Sequence, residues 1–222
     1  MNNARKESPP GAGGSSFELI DAQALFRELR LKKGIAFLDV ACGRGMYTIA
    51  VSKIIGEKGI VFAVDLWGEA IASLKNEVSA RGISNIKAKV ADVGKRIPLK
   101  GRTIDVVLMA TVLHDLVESG KAEGALKETG RVLKPGGMFA VVEFKKIEGP
   151  PGPPIAIRLS AAEVERLASP FGFKKKRNLN LGPYNYLVVF RFQPRRAGKI
   201  TGRGPHDHDS RKGNCCLRSV AG

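Results

Sequence analysis

The chain has 222 residues, 43% of them hydrophobic, enough for one sizeable domain with a real core and too few for several. Its longest apolar stretches are strand length, and residues 1–16 lack the apolar core of a secretory signal, so a cytoplasmic protein without a transmembrane segment is expected. The net charge of +16 favours acidic partners, although a solvated basic surface gives the same count, and three cysteines exclude a disulfide framework.

Residues 1–16 are rich in Pro, Gly and Ser and read as a disordered N-terminal segment. Asp21 is placed to cap an amphipathic helix reaching Leu31, with Ala24, Leu25, Phe26 and Leu29 among its apolar positions. The chain then alternates. Strand Ile35–Val40 precedes helix Met46–Ile55, and strand Ile60–Val64 precedes helix Glu69–Ala80, which Gly82 stops. Strand Ile86–Val90 leads through a loop to strand Ile104–Met109. Helix Lys121–Leu133 follows, and Lys134-Pro135-Gly136-Gly137 closes it before strand Met138–Phe144.

Such alternation predicts an α/β fold with a parallel sheet covered on both faces. Gly149-Pro150-Pro151-Gly152-Pro153-Pro154 reads as a stiff linker, and Ser160 with Glu163 as the capping box of helix Ala161–Ala168. Phe171–Lys176 and Tyr186–Phe192 form the last two strands, joined as a hairpin through Pro183-Tyr184-Asn185. From 193 to 222 the apolar periodicity ends, which predicts a disordered basic tail. His206, His208, Cys215 and Cys216 in that tail match no zinc spacing, so no metal is expected.

The turn after the first strand carries the chemistry. Small residues Ala41, Cys42, Gly43 and Gly45 join a strand to a helix start, where backbone amides attract a ligand and glycine lets it lie close. Cys42 reads as a small residue filling a tight corner. A dinucleotide fingerprint needs a third glycine, and Thr48 stands in its place. Asp39 at the strand end would repel a pyrophosphate and favour an ammonium. Asp65 ends the second strand and suits ribose hydroxyls; Asp92 follows the third strand and suits an adenine amine. Carboxylates at three successive strand ends fit a cationic adenosyl ligand without phosphate.

The stretches Leu38-Asp39-Val40-Ala41-Cys42-Gly43-Arg44-Gly45, Val64-Asp65, Ala91-Asp92-Val93, Asp105-Val106-Val107-Leu108-Met109-Ala110 and Leu133-Lys134-Pro135-Gly136-Gly137 follow in order. Together, from about Phe17 to Phe192, they make the chain resemble a class I S-adenosylmethionine-dependent methyltransferase of the stand-alone domain type. Ala41 stands where that family usually has glycine. The resemblance implies a Rossmann-like three-layer αβα sandwich over 17–192, with a seven-stranded, mostly parallel sheet whose last strand is antiparallel. It implies S-adenosyl-L-methionine as cofactor. Asp39, Ala41, Gly43 and Gly45 would line its methionine end, with Tyr47 and Phe17 closing over it. Asp65 would hold the ribose and Leu66 the adenine, Asp92 and Val93 would flank the base, and Ala110 would lie under the sulfonium.

The acceptor is expected beyond the fourth strand, over Thr111–Leu116. His114 there is the candidate base, with a residue that merely supports a helix start as the other reading. Glu143 and Lys145 are further candidates on that side. Members of the family this chain resembles that methylate exocyclic amino groups of bases or glutamine amides carry an Asn/Asp-Pro-Pro-aromatic run after the fourth strand. Ala110-Thr111-Val112-Leu113 stands there instead, which argues against that chemistry. Scarcity of cysteine argues against arsenic. A small-molecule or lipid-like acceptor is the first reading. Nucleic acid, met by Lys174-Lys175-Lys176-Arg177 and the tail, is the second, with few aromatics (6%) to stack on bases. The third is a cofactor-binding protein without catalysis. The sequence does not indicate an oligomeric state.

Overall fold

Strand and helix alternate as expected, and the strands assemble into one seven-stranded sheet. The computed structural model describes residues 15–194. In chain order the elements are α1 (Ala22–Leu29), β1 (Ala36–Val40), α2 (Met46–Ile55), β2 (Ile60–Asp65), α3 (Gly68–Ala80), β3 (Ile86–Val90) and β4 (Ile104–Ala110). Then come α4 (Leu113–Glu118), α5 (Ala122–Val132), β5 (Leu133–Phe144), α6 (Ala161–Ala168), β6 (Phe173–Asn180) and β7 (Asn185–Phe192). The expected disordered segments lie outside the described residues, apart from Ser15, Ser16, Gln193 and Pro194. So do His206, His208, Cys215 and Cys216.

The strand order is β3-β2-β1-β4-β5-β7-β6. Only β7 runs against the others, wedged between β5 and β6. The carboxyl ends of β1 to β5 therefore share one edge of the sheet. Order reverses between β1 and β4, which opens the crevice where ligands of such sheets bind.

The period of two along each strand sorts side chains to two faces. Leu38, Val40, Val107, Met109, Phe139 and Val141 face α4, α5 and α6. Phe37, Val61, Val106, Leu108, Ala140 and Val142 face α1 and α2, and Ala63 meets Ile71 and Leu74 of α3. The result is three layers, with three helices on each side.

The caps expected from sequence are present. Asp21 accepts from the Ala24 amide, and Ser160 and Glu163 bond each other's backbones at the start of α6. Three differences stand out. The short helix α4 was not expected; its six residues are too few to display a helical period. Strand β5 starts at Leu133, pairing with Ile104 before the Gly136 kink (φ +76°) shifts the register, so Pro135-Gly136-Gly137 lies within the strand as an irregularity.

The third difference is the proline-rich segment, which is no free linker. It wraps a buried guanidinium. Arg158 is 3% exposed. Its Nε donates to Pro153 O, Nη1 to Lys145 O and Ile147 O, and Nη2 to Gly149 O and Pro151 O, at 2.7–3.1 Å. All five N–H groups of the fork are used, and its carbon lies 5.7 Å from the centre of the Phe144 ring. Proline and glycine leave these carbonyls without a helix or ladder partner, and one side chain supplies the donors. Replacing Arg158 by Met should cost about 2–3 kcal/mol in thermal or urea unfolding and speed proteolysis within 148–154. Lysine, with three donors, should fall between. Unchanged stability and unchanged cleavage in the Met variant would refute this account of the loop.

Candidate active site

The β1–α2 turn is held by backbone geometry. Ala41 (φ +56°), Gly43 (φ +53°) and Gly45 (φ +82°) all take the left-handed conformation. Gly45 is favoured by its left-handed φ, and a Cβ there would lie 2.4 Å from Leu74 Cδ1, so that buried side chain would have to shift. A Cβ on Gly43 would meet no protein atom within 4 Å; it would project into the open space a ligand needs. Ala41 bears the left-handed strain that glycine would avoid, at a cost of about 1 kcal/mol. No side chain caps the start of α2, which leaves its first amides directed toward the crevice.

A pocket of about 710 Å³ opens over this turn. Asp39, Ala41, Gly43, Gly45, Tyr47, Asp65, Leu66, Asp92, Val93 and Ala110 all line it. Its charge opposes that of the protein. Among the described residues, the carboxylates Glu18, Asp39, Asp65, Asp92, Asp115 and Glu118 line it, against the cations Arg44 and Lys121. A cavity of this sign inside a chain of net charge +16 suits a cation and disfavours a phosphate.

Each carboxylate is held differently. Asp39 lies near the end of its strand, as expected, and its side chain is buried. It is the penultimate residue of β1, pairs with Ala63 and Leu108, and is 1% exposed. Its parity in the strand turns it to the α2 side, where it accepts from Thr48 Oγ1 at 2.6 Å. Burial, with a contribution from nearby Asp65, pushes its carboxyl from 3.8 up to about 7. Asp65 accepts from the Gly43 amide through Oδ2 and from the Trp67 amide through Oδ1, both at 2.7 Å. Each oxygen keeps a free lone-pair direction for a ligand.

Asp92 accepts from the Gly94 amide and pairs with Lys121 Nζ at 3.0 Å. Its burial is outweighed by this pairing, and its carboxyl is held below the usual range. Beyond β2, Leu66 is 53% exposed, and the Trp67 ring lies 5.8 Å from the Arg44 guanidinium carbon. Together they form an apolar lip.

The N-terminal wall comes from a 3₁₀ turn at Ser16–Leu19. Ser16 is buried, and its hydroxyl lies 2.8 Å from Tyr47 Oη and 3.2 Å from Thr111 Oγ1. Phe17 does not line the pocket; its ring packs edge-on against Tyr47, 5.0 Å between centroids. Thr111 (φ +52°), directly after β4, is a β-branched residue held in the left-handed region. Such strain is retained where the surroundings impose it.

His114 does not line this pocket. It is 4% exposed, and its Nδ1 lies 2.8 Å from Glu143 Oε2 while its own amide donates to Glu143 Oε1. Glu143 continues the face of β5 that carries Phe139 and Val141, so it points at α4 and is sealed there. Burial acts to lower the His114 pKa, but the bond to Glu143 prevails and it is raised. The residue that reaches the pocket is its neighbour, Asp115. Lys145 is turned away, donating to Gly182 O at 2.8 Å. Ser16, Lys121 and Asp115 are thus the site residues that sequence reasoning missed. Adjacency to His114 was the available signal for Asp115; the other two had none beyond residue type. Among the described residues, no group of three or more His, Cys, Asp or Glu could hold a metal.

A methyltransferase-domain family model matches residues 37–137. A solved S-adenosylmethionine-dependent methyltransferase from Aquifex aeolicus is 33% identical to this chain, with a TM-score of 0.74, covering 80% of this chain and 93% of that one. The chain belongs to the S-adenosylmethionine-dependent methyltransferases. A demethylmenaquinone methyltransferase of Staphylococcus aureus is 34% identical over 119 residues, covering 54% of this chain and 47% of that protein. A ubiquinone/menaquinone biosynthesis C-methyltransferase of Azotobacter vinelandii is 32% identical over 117 residues, covering 52% and 45%. The chain spans about half the length of these curated relatives.

The methyltransferase cofactor carries an ammonium and a sulfonium, and the pocket fits it. The space over Gly43 is open, the floor carries a buried carboxylate at Asp39, and the rim is apolar at Leu66 and Trp67. The charge at Asp39 gives a pH prediction. Its folded pKa is raised, so its contribution to the stability of the ligand-free protein is complete below about pH 4 and is lost as pH rises through about 7. An ammonium beside it favours the ionised form. Cofactor affinity should therefore rise between about pH 6 and 7.5 with proton release, and Asp39→Asn should flatten both. Calorimetry in two buffers of different ionisation enthalpy measures this. A wild type whose affinity ignores pH and that releases no proton would contradict it.

Proposed function

We propose that this chain transfers a methyl group from S-adenosylmethionine to a small aromatic or lipid-like acceptor. The carrying observation is an acidic pocket, built on the β1–α2 turn, in a strongly basic protein. When bound, the cofactor supplies a methyl group already activated on a sulfonium. Asp39, Ala41, Gly43 and Gly45, with Tyr47, would receive its amino-acid end. Asp65 would accept from the ribose hydroxyls, Leu66, Asp92 and Val93 would surround the base, and Ala110 would underlie the sulfonium. The protein's contribution is alignment in a dry space, where proximity and orientation do most of the work.

Beyond β4 the pocket is lined by the apolar Val112, Leu116 and Ile157 alongside Thr111, Asp115, Glu118, Ser119 and Lys121. Val117, Ile147 and Ile155, on α4 and the Arg158 loop, are exposed apolar side chains. This supports a hydrophobic acceptor, as do the quinone methyltransferases among the relatives. Among the described residues, no helix is long and apolar enough to cross a membrane.

The run Lys174–Arg177 gives less support to a nucleic-acid acceptor. Register puts Lys174 level with Met138 and Val106, low on the sheet and away from the carboxyl ends that shape the pocket. Lys175 is paired with Glu165, and Arg177 with Glu28.

Label from methyl-labelled cofactor should pass to a reduced, short-chain demethylnaphthoquinone and not to RNA or DNA. Asp65→Ala should weaken cofactor binding by about 1–3 kcal/mol, through lost charge-assisted hydrogen bonds and a loosened turn. Gly43→Val should abolish binding, because its side chain meets ligand space, and the left-handed φ of +53° at this position should also lower the unfolding temperature. Cofactor binding with no labelled quinone, or labelled nucleic acid instead, would reject this acceptor class. Undiminished binding by both variants would reject the assignment of the pocket.

A further inference from the structure

We propose that Asp115 is the catalytic residue that takes up the proton lost by the methyl acceptor, with His114 and Glu143 as the residues that position it. The proposal rests on the methyl-transfer reading above and adds a base at its acceptor end.

The observation is an imidazole held between two carboxylates, one sealed and one facing the pocket. The Glu143 side chain is 0% exposed and the His114 side chain 5%, whereas Asp115 is 31% exposed. Asp115 lines the pocket beside Thr111, Val112 and Leu116, the segment over which an acceptor would lie. Glu143 accepts from the His114 amide at 3.1 Å and from the Phe144 amide at 3.3 Å. A carboxylate committed to two backbone donors is an acceptor, so the proton between Glu143 and Nδ1, 2.8 Å apart, sits on the imidazole. The other nitrogen, Nε2, lies 3.5 Å from Asp115 Oδ1, near enough for the two charges to couple. That separation is long for a hydrogen bond, as catalytic contacts often are before substrate closes on them.

This fixes what the pair can do. With Nδ1 protonated, Nε2 accepts from a protonated Asp115 carboxyl or, as imidazolium, donates to the carboxylate. A proton arriving on Asp115 can therefore pass to His114 without Glu143 moving. The remaining charges around the imidazole are Arg158, whose guanidinium opposes its protonation, and Glu118, the Lys146–Glu163 pair and Arg166 on the outer cavity that His114 lines. Burial raises the Asp115 carboxyl above its usual range, Glu143 adds to that, and His114 works against both. A raised carboxyl is a better proton acceptor near neutral pH.

Three of the other carboxylates that meet the pocket are committed elsewhere, and Glu18 and Glu118 lie outside the Thr111–Leu116 segment. Asp39 is bonded to Thr48, Asp65 to two amides, and Asp92 to Lys121. Over the whole reaction the acceptor exchanges one proton for one methyl group. Its electron pair forms the new bond to carbon, the pair of the broken carbon–sulfur bond stays with sulfur, and the proton goes to Asp115 and on to solvent.

Two measurements on the full chain test this. In the first, imidazole signals are titrated by NMR without cofactor, with His114→Gln identifying the His114 resonance among the three histidines. The His114 midpoint should lie above the ordinary value and fall in Asp115→Asn. A midpoint indifferent to Asp115→Asn would overturn the coupling. In the second, label transfer to the reduced demethylnaphthoquinone and to a catechol is followed. Asp115→Asn should lower kcat at least about 100-fold while cofactor Kd stays within about twofold. Asp115→Glu should restore part of the rate, and His114→Gln should move the acidic limb of the kcat profile. Asp115→Asn with kcat within threefold of wild type would overturn the catalytic role. If wild-type protein binds cofactor but labels neither acceptor, the acceptor reading fails, and the NMR titration decides the proposal alone.

Discussion

One carboxylate, at the end of β2, ties together the turns on which the pocket is built. Asp65 receives the Gly43 amide from the β1–α2 turn and the Trp67 amide from the approach to α3. Charge-assisted bonds of this kind are among the stronger a protein makes, and two of them leave the carboxylate little freedom. Asp65 can do this because β1 and β2 pair in parallel, with Val40 opposite Val64, so both turns leave the sheet at the same edge. Leu74 of α3 completes the arrangement by filling the space a Cβ on Gly45 would need. Sheet register, turn conformation and helix packing thus converge on one small region, and the site inherits its rigidity from all three.

Rigidity at the β1–α2 turn is matched by strain at two residues that are not glycine. Ala41 and Thr111 occupy the left-handed region at the ends of neighbouring strands, β1 and β4. The cost at Ala41 is that of a single methyl group. At Thr111 it is larger in kind, since a branched side chain crowds the backbone more. The Thr111 amide donates to Val142 O at 2.7 Å and its hydroxyl meets Ser16, so β5 and the N-terminal wall hold it in place. The chain bends sharply there, and α4 begins two residues later, with Asp115 carried to the pocket and His114 carried behind it.

The donor half of the site was legible in the sequence because it is local. A strand, small residues and a helix within Leu38–Ile55 carry their own geometry, and Asp65 and Asp92 fall at strand ends that periodicity marks. The acceptor half depends on contacts far apart in the chain. Glu143 and His114 stand 29 residues apart and meet only because β4 and β5 pair. Six residues of α4 display no period, so nothing in the sequence said which of His114 and Asp115 would face inward. Arg158 was illegible for a different reason. A lone arginine after a proline run reads as a surface charge, and only the wrapped loop reveals five carbonyls converging on its guanidinium. Asp39 was placed correctly at the end of its strand, but its burial was not legible: with Val40 still paired in the sheet, the carboxylate is drawn inside and its charge becomes costly.

That cost bears on how the pocket exchanges its contents. A buried carboxyl at Asp39 that is partly neutral near pH 7 gives the ligand-free protein a way to tolerate its burial, and a cationic ligand then restores the charge with a partner present. The wall that covers this region is held more lightly. Ser16 contributes two neutral hydroxyl contacts, each worth about 1 kcal/mol net, besides the packing of Phe17 on Tyr47. Opening such a wall costs far less than disturbing the Asp65 turns. The two sides of the pocket thus differ in how they are held: the sheet edge by charge-assisted bonds to Asp65, and the Ser16–Leu19 turn by neutral hydroxyl contacts and one aromatic pair.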